Sequence, residues 1–106
     1  MFDLSALEGF EWDAGNERKS QLKHAVSAAE AEQVFFNVPL VVVEDALHSK
    51  AEPRWHALGH TDADRLLHMT ITVRANGRLI RVISARDMHR KERIVYGRDH
   101  SSRQDG

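Results

Sequence analysis

The sequence predicts an α+β domain, with N-terminal helices packed on an antiparallel β-sheet and a C-terminal helix closing the chain. Three observations carry this reading. Ser27-Ala28-Ala29-Glu30 has the serine-to-glutamate spacing of a capping box, which opens a helix. Residues 40–44, LVVVE, are β-branched and suit a strand. Asn76-Gly77 stands between two apolar runs, the strongest short signal for a hairpin. At 106 residues the chain has room for one core, so residues 1–106 form a single domain.

The elements follow in order. Residues 10–13, FEWD, read as a short strand with Trp12 in the core, and Asp13 is placed to cap a helix over 15–24. The helix opened by Ser27 runs to about residue 36, with Ala31, Val34 and Phe35 on its buried side, and Asn37 and Pro39 end it. After the strand at 40–44, the polar stretch 45–53 is a loop. Residues 55–59, 66–74 and 79–85 then form strands in a meander, the last two joined by the Asn76-Gly77 turn. Asp87 is the expected cap of the last helix, which should end near Gly97. Residues 98–106 read as a loose polar tail, and 1–9 as an N-terminal extension.

Composition narrows the function. With no cysteine, a disulfide framework and thiol catalysis are excluded. No apolar run approaches the ~20 residues of a membrane span, and the start of the chain is acidic where a signal peptide would be basic, so a soluble cytoplasmic protein is expected. The net charge of −1 conceals a split: residues 1–52 carry 10 acids against 4 bases, whereas 74–98 carry 8 bases against 2 acids. Such a split suits a protein that holds a polyanion on one face, although two halves that neutralise each other across the fold would look the same.

Several chemistries find no support. His56 and His60 are four apart, but they fall in a strand and turn with no carboxylate at metalloprotease spacing, so no metal site is expected. The glycines are scattered and form no phosphate loop, and no other cofactor is implied. Ser84 lacks the flanking glycines of a nucleophile elbow. What remains is RVISARDMHRKERIVY at 81–96. Regular alternation turns Ile80, Val82 and Ser84 one way and Arg81, Ile83 and Ala85 the other. Ser84, Arg86, Arg90 and Arg93 can then surround one patch at the strand–helix junction, and Arg81 joins them only if it reaches around an edge or if a bulge changes the register.

The residues also carry a resemblance. Phe10-Glu11-Trp12-Asp13, Lys23-His24, Val26-Ser27, Ala31 and Val34-Phe35 resemble the start of the BrnT toxins. The likeness continues through Asp45, His48-Ser49, Glu52, Arg54-Trp55, Gly59, Arg81, Ile83-Ser84-Ala85-Arg86, Glu92-Arg93 and Tyr96. It implies a RelE-like fold, ribonuclease activity in a type II toxin–antitoxin system, inhibition of translation, and a BrnA-like antitoxin of the ribbon-helix-helix type as partner. DNA would be met only through that antitoxin, RNA would be the substrate, and no membrane is involved. The chain departs from the family at Asn16, Ser20, Ala25 and Ala28, where Lys, Asn, Gly and an aromatic are usual. Ala25 in place of Gly suggests a helix end without a left-handed cap.

Metal-free RNA cleavage needs cations on the phosphoryl oxygens, and guanidinium groups grip two oxygens at once. Arg86, Arg81 and, across the sheet, Arg54 are the candidates for that task. His24, Glu92 and Tyr96 are the candidates for proton transfer, without an assignment of acid or base. Ser84, Arg90, Arg93 and Trp55 would bind RNA, Trp55 by stacking on a base. Each has a plainer alternative: His24 complementing a helix dipole, Glu92 pairing with an arginine, Tyr96 and Trp55 packing in the core. A non-enzymatic module that docks nucleic acid or protein on its basic C-terminal face is the alternative to the toxin.

Overall fold

A computed structural model describes residues 4–47 and 52–104, with side chains to residue 97. His48 and Ser49 therefore lie outside the described residues. The order is β1 (Gly9–Trp12), α1 (Ala14–His24), α2 (Ala28–Gln33), β2 (Val41–Glu44), β3 (Trp55–His60), β4 (Leu66–Arg74), β5 (Leu79–Asp87) and α3 (Arg90–Gln104). The strands form one sheet in the order β1-β5-β4-β3-β2. No helix among the described residues is long and apolar enough to cross a membrane.

Local chemistry places the helix starts where the sequence puts them. Asp13 accepts the Gly15 and Asn16 N–H groups at 2.9 and 3.2 Å, and opens α1. Ser27 and Glu30 make both bonds of the capping box at 3.1 Å. The end of α1 corrects an expectation. Ala25 does adopt the left-handed conformation, φ 52 and ψ 38, and its N–H donates to the Gln21 carbonyl at 3.0 Å. Arg65 holds this turn from outside: its guanidinium donates to the His24 and Ala25 carbonyls at 2.9 and 2.8 Å. The same side chain pairs with Glu30 and Asp87, so one cation ties α1, α2 and β5 together.

The sheet departs from a purely antiparallel one at its edge. β1 pairs in parallel with β5, Phe10 opposite Ile80 and Trp12 opposite Val82. The helices after β1 carry the chain over the sheet to β2 at the far edge, so no tight turn sets the direction of β1. Residues 4–9 do not stand apart: Gly9 begins β1, Glu8 N–H donates to the Arg78 carbonyl at 2.6 Å, and Leu7 packs against the core. The hairpin is wider than a two-residue turn. Residues 75–78 span it, with positive φ at Ala75, Asn76 and Gly77.

The last helix is also corrected. Asp87 ends β5 rather than capping a helix; its carboxylate takes the Arg65 Nε and Nη2 at 2.7 and 3.1 Å. Glu92 reaches back to the His89 N–H at 2.7 Å and supplies the cap instead. The helix continues past Gly97 to Gln104, because a single interior glycine costs only ~1 kcal/mol; the expected loose tail is thus helical as far as 104.

Two cores result. On one face of the sheet α1, α2 and the turn after it cover Ala57, Leu67, Met69, Ile71, Ile80, Val82 and Ala85. On the other, α3 covers one end, where Tyr96, Met88 and Leu58 pack. Register along β5 shifts between these residues. Thr70 faces Ser84 and Ile71 faces Val82, which leaves Ile83 as a bulge. Ala85, not Ser84, therefore joins Ile80 and Val82 in the core, and Arg81, Ser84 and Arg86 share the opposite face. Beyond the end of β1, the Ala85 N–H finds its acceptor in Ser20 Oγ at 3.2 Å.

Candidate active site

The face away from α1 and α2 carries the polar alternation of three strands. β4 contributes His68, Thr70 and Thr72, β3 contributes His56, and β5 contributes Arg81, Ser84 and Arg86. Arg86 stands at the hand-over from β5 to α3. Its two Nη atoms donate to the two carboxylate oxygens of Glu92 at 2.8 and 2.9 Å, and Nη1 also donates to the Asp87 carbonyl at 3.1 Å. The Arg86 hydrogen bonds, against the opposing effect of burial, hold the Glu92 carboxyl down at about 2. Glu92 is thus an ionised acceptor that fixes Arg86 and starts α3.

His68 is opposite Arg86 in the β4–β5 ladder, with Nε2 3.8 Å from Glu92 Oε2. Its ring packs against His56, centroids 4.9 Å apart, and His56 Nε2 is 3.0 Å from the buried Asp45 carboxylate. Burial first, and the Arg86 charge second, push His68 down to about 4. It is neutral at ordinary pH.

The structure gathers some predicted residues and separates others. Arg86, Glu92 and Ser84 come together. Arg81 shares their face through the bulge but is tied to Glu11 and Asp13 at 3.1 and 3.2 Å. Arg54, half-buried just before β3, falls by alternation on the same side. Arg90 is exposed at the start of α3. Arg93 is exposed and lines a pocket of about 340 Å³ with Tyr96, His60 and Leu66. Tyr96 itself is buried, its hydroxyl donating to the Pro39 carbonyl at 2.6 Å and accepting from His60 Nδ1 at 2.8 Å. Trp55 packs in the helix-covered core, which takes its ring away from a stacking role. His24 sits exposed at the end of α1, on the helical side of the sheet where Asp87 lies, away from the Arg86 side chain.

Sequence reasoning passed over His68 and, beyond its metal reading, His56. The signal was present in β4, where LLHMTITVR alternates His68, Thr70 and Thr72 with Leu67, Met69 and Ile71.

Comparison with known proteins places this geometry. No curated protein matches the chain significantly. The fold is similar to the crystal structure of the ribonuclease toxin BrnT of Brucella abortus, with a TM-score of 0.59 at 17% identity, over 77% of this chain and 97% of that one. Residues 12–92 match the model of a family described as the ribonuclease toxin BrnT of type II toxin–antitoxin systems. That match takes in the caps, strands β2 to β5 and the Arg86–Glu92 junction, and by it the chain belongs to the BrnT family of ribonuclease toxins.

Proposed function

We propose that this chain cleaves RNA without a metal at the open face of the sheet, inhibits translation and growth in the cytoplasm, and is neutralised by a BrnA-like ribbon-helix-helix antitoxin. The observation that supports this most is the two-pronged Arg86–Glu92 pair. A guanidinium held by a strand end and a helix start is preorganised, and the Glu92 carboxylate engages it as two phosphate oxygens would.

In this reading the 2′-oxygen attacks the adjacent phosphorus as it loses its proton. Arg86 carries the charge that builds on the phosphoryl oxygens, with Arg54 and Arg81 contributing to the field of the same face. The O2′–P bond forms and the P–O5′ bond breaks, and the leaving oxygen takes a proton, giving a 2′,3′-cyclic phosphate and a 5′-hydroxyl. Ser84, Arg90 and Arg93 extend the track for the strand. Glu92 acts here as the partner that aims Arg86 rather than as a base, since a carboxylate held near 2 takes up protons poorly. Exposed Leu22 and Phe36 on the helical side give the antitoxin an apolar footing within the acidic half of the chain.

The test is direct. Induced expression should stop growth, co-expression of the neighbouring gene product should relieve it and co-purify, and the purified chain should release cyclic-phosphate ends in the presence of a chelator. RNA that is bound but never cut would replace this reading with the docking module. Cleavage abolished by the chelator would refute the metal-free mechanism.

A further inference from the structure

We infer that His68 serves this site as a neutral hydrogen-bond donor, its Nε2–H sharing with Arg86 the phosphoryl oxygen that replaces Glu92 Oε2. The inference rests on the ribonuclease reading and adds to it a residue that acts on the phosphate without transferring a proton.

Geometry comes first. Glu92 Oε2 accepts from Arg86 Nη2 at 2.9 Å and has His68 Nε2 3.8 Å away, so one anionic oxygen already faces both groups. His68 Nδ1 is buried and has no hydrogen-bond partner among the described residues. A proton there would be a donor with nothing to accept it, whereas a proton on Nε2 points toward a carboxylate. The tautomer is therefore Nε2–H. Asp45 anchors His56, and the His56 ring packs on His68 and holds its orientation.

Charge comes second. The groups that face His68 are His56 from β3, Arg86 from β5, and His89 and Glu92 from the start of α3. Burial and the Arg86 charge outweigh Glu92, so the ring carries one proton rather than two. An uncharged N–H beside a guanidinium can stabilise developing phosphoryl charge without a titration of its own. Tyr96 has its hydroxyl committed to Pro39 and His60, and cannot substitute.

The experiment compares the full-length wild type with His68→Leu and His68→Gln, each checked for folding by circular dichroism and melting. Cleavage of one RNA is followed at saturation from mildly acidic to mildly alkaline pH, and affinity is read with its uncleavable 2′-deoxy analogue. His68→Leu should cut about 100-fold more slowly at every pH, with affinity little changed. His68→Gln, which carries an N–H near the same place, should recover most of the rate. Equal loss in Gln and Leu, with an altered pH profile, would make His68 an acid–base group and overturn the inference. So would a wild-type rate in His68→Leu. Nitrogen-15 spectra of the His68 ring, with and without inorganic phosphate, decide the matter independently of cleavage. A proton on Nδ1, or an Nε2 signal indifferent to phosphate, refutes the donor even in an active enzyme. A wild type that never cuts RNA refutes the ribonuclease reading alone.

Discussion

Beneath α1 and α2 the sheet buries Leu67, Met69, Ile71, Ile80, Val82 and Ala85 completely, while the opposite face of the same strands presents His68, Thr70, Ser84 and Arg86. The first face is held by removal of apolar area from water, which has no direction and tolerates little change of volume. The second is held by directed bonds, Arg86 to Glu92 and His56 to Asp45, whose geometry matters more than their bulk. Packing and directed polar contacts are thus carried by alternate residues of one strand. The bulge at Ile83 is where the two interlock, because it turns Ala85 inward and brings Arg81, Ser84 and Arg86 onto one face.

The comparison breaks most visibly at Arg86. Arg86→Ala should cut cleavage by about 10²–10³-fold, yet leave the helix-covered core intact and cost no more stability than the ~1–2 kcal/mol of its Glu92 pairing. Arg86→Lys should restore only part, since an ammonium lacks the fork. Arg18→Ala, an equal charge change on exposed α1, is the control. Equal rates for Arg86→Ala and Arg18→Ala would end the claim that the two faces do different work.

The converse change belongs to the first face. A Cβ on Gly59 would lie 2.4 Å from Val34 Cγ1, against a β-branched side chain with no exposed surface. Gly59→Ala should therefore cost about 2–3 kcal/mol and lower Tm by roughly 10 °C, with the activity of the folded fraction retained. Thermal denaturation followed beside an assay of the folded protein checks both halves.

Acid should strip the second face first. His68 is held at about 4, below its ordinary 6.5, so the unfolded chain binds the proton more readily; its contribution is present above pH 6.5 and is lost as pH falls toward 4. Glu92 lies at about 2 against 4.5, and its contribution disappears as pH falls from 4.5 toward 2. After allowance for partial solvent screening, each step is worth about 1–2 kcal/mol. Denaturant midpoints taken down the pH scale should show two steps. His68→Leu should remove the upper and Glu92→Gln the lower.

The smallest effect sharpens the first face. Ala25 holds φ 52 at the end of α1, a conformation glycine adopts without strain. Ala25→Gly should raise stability by about 0.5–1 kcal/mol, visible as a few degrees in Tm and absent from the cleavage rate. Lower stability would mean that the entropy of the unfolded glycine outweighs the strain relieved.

Much of this architecture was legible along the chain. The caps at Asp13 and Ser27, the β-branched runs and the glycine hairpin depend on residues a few positions apart, whose chemistry acts wherever the chain goes. The arginine at residue 86 and its carboxylate at 92 were also within local reach, six residues apart across one turn. The tertiary structure alone decided the rest. The parallel pairing of β1 depends on where α1 and α2 deposit the chain, and the side chain of Asp87 went to Arg65, 22 residues away in sequence. Ala25 accepts a left-handed φ because Arg65 grips the carbonyls around it from across the fold. The bulge at Ile83 shifted the alternation by one residue, so a rule with a period of two put Ser84 and Ala85 on the wrong faces. His68 meets Arg86 only once β4 and β5 are in register. Local hydrogen-bonding and steric preferences are written in the order of residues, whereas partners brought together by packing depend on the whole core having formed.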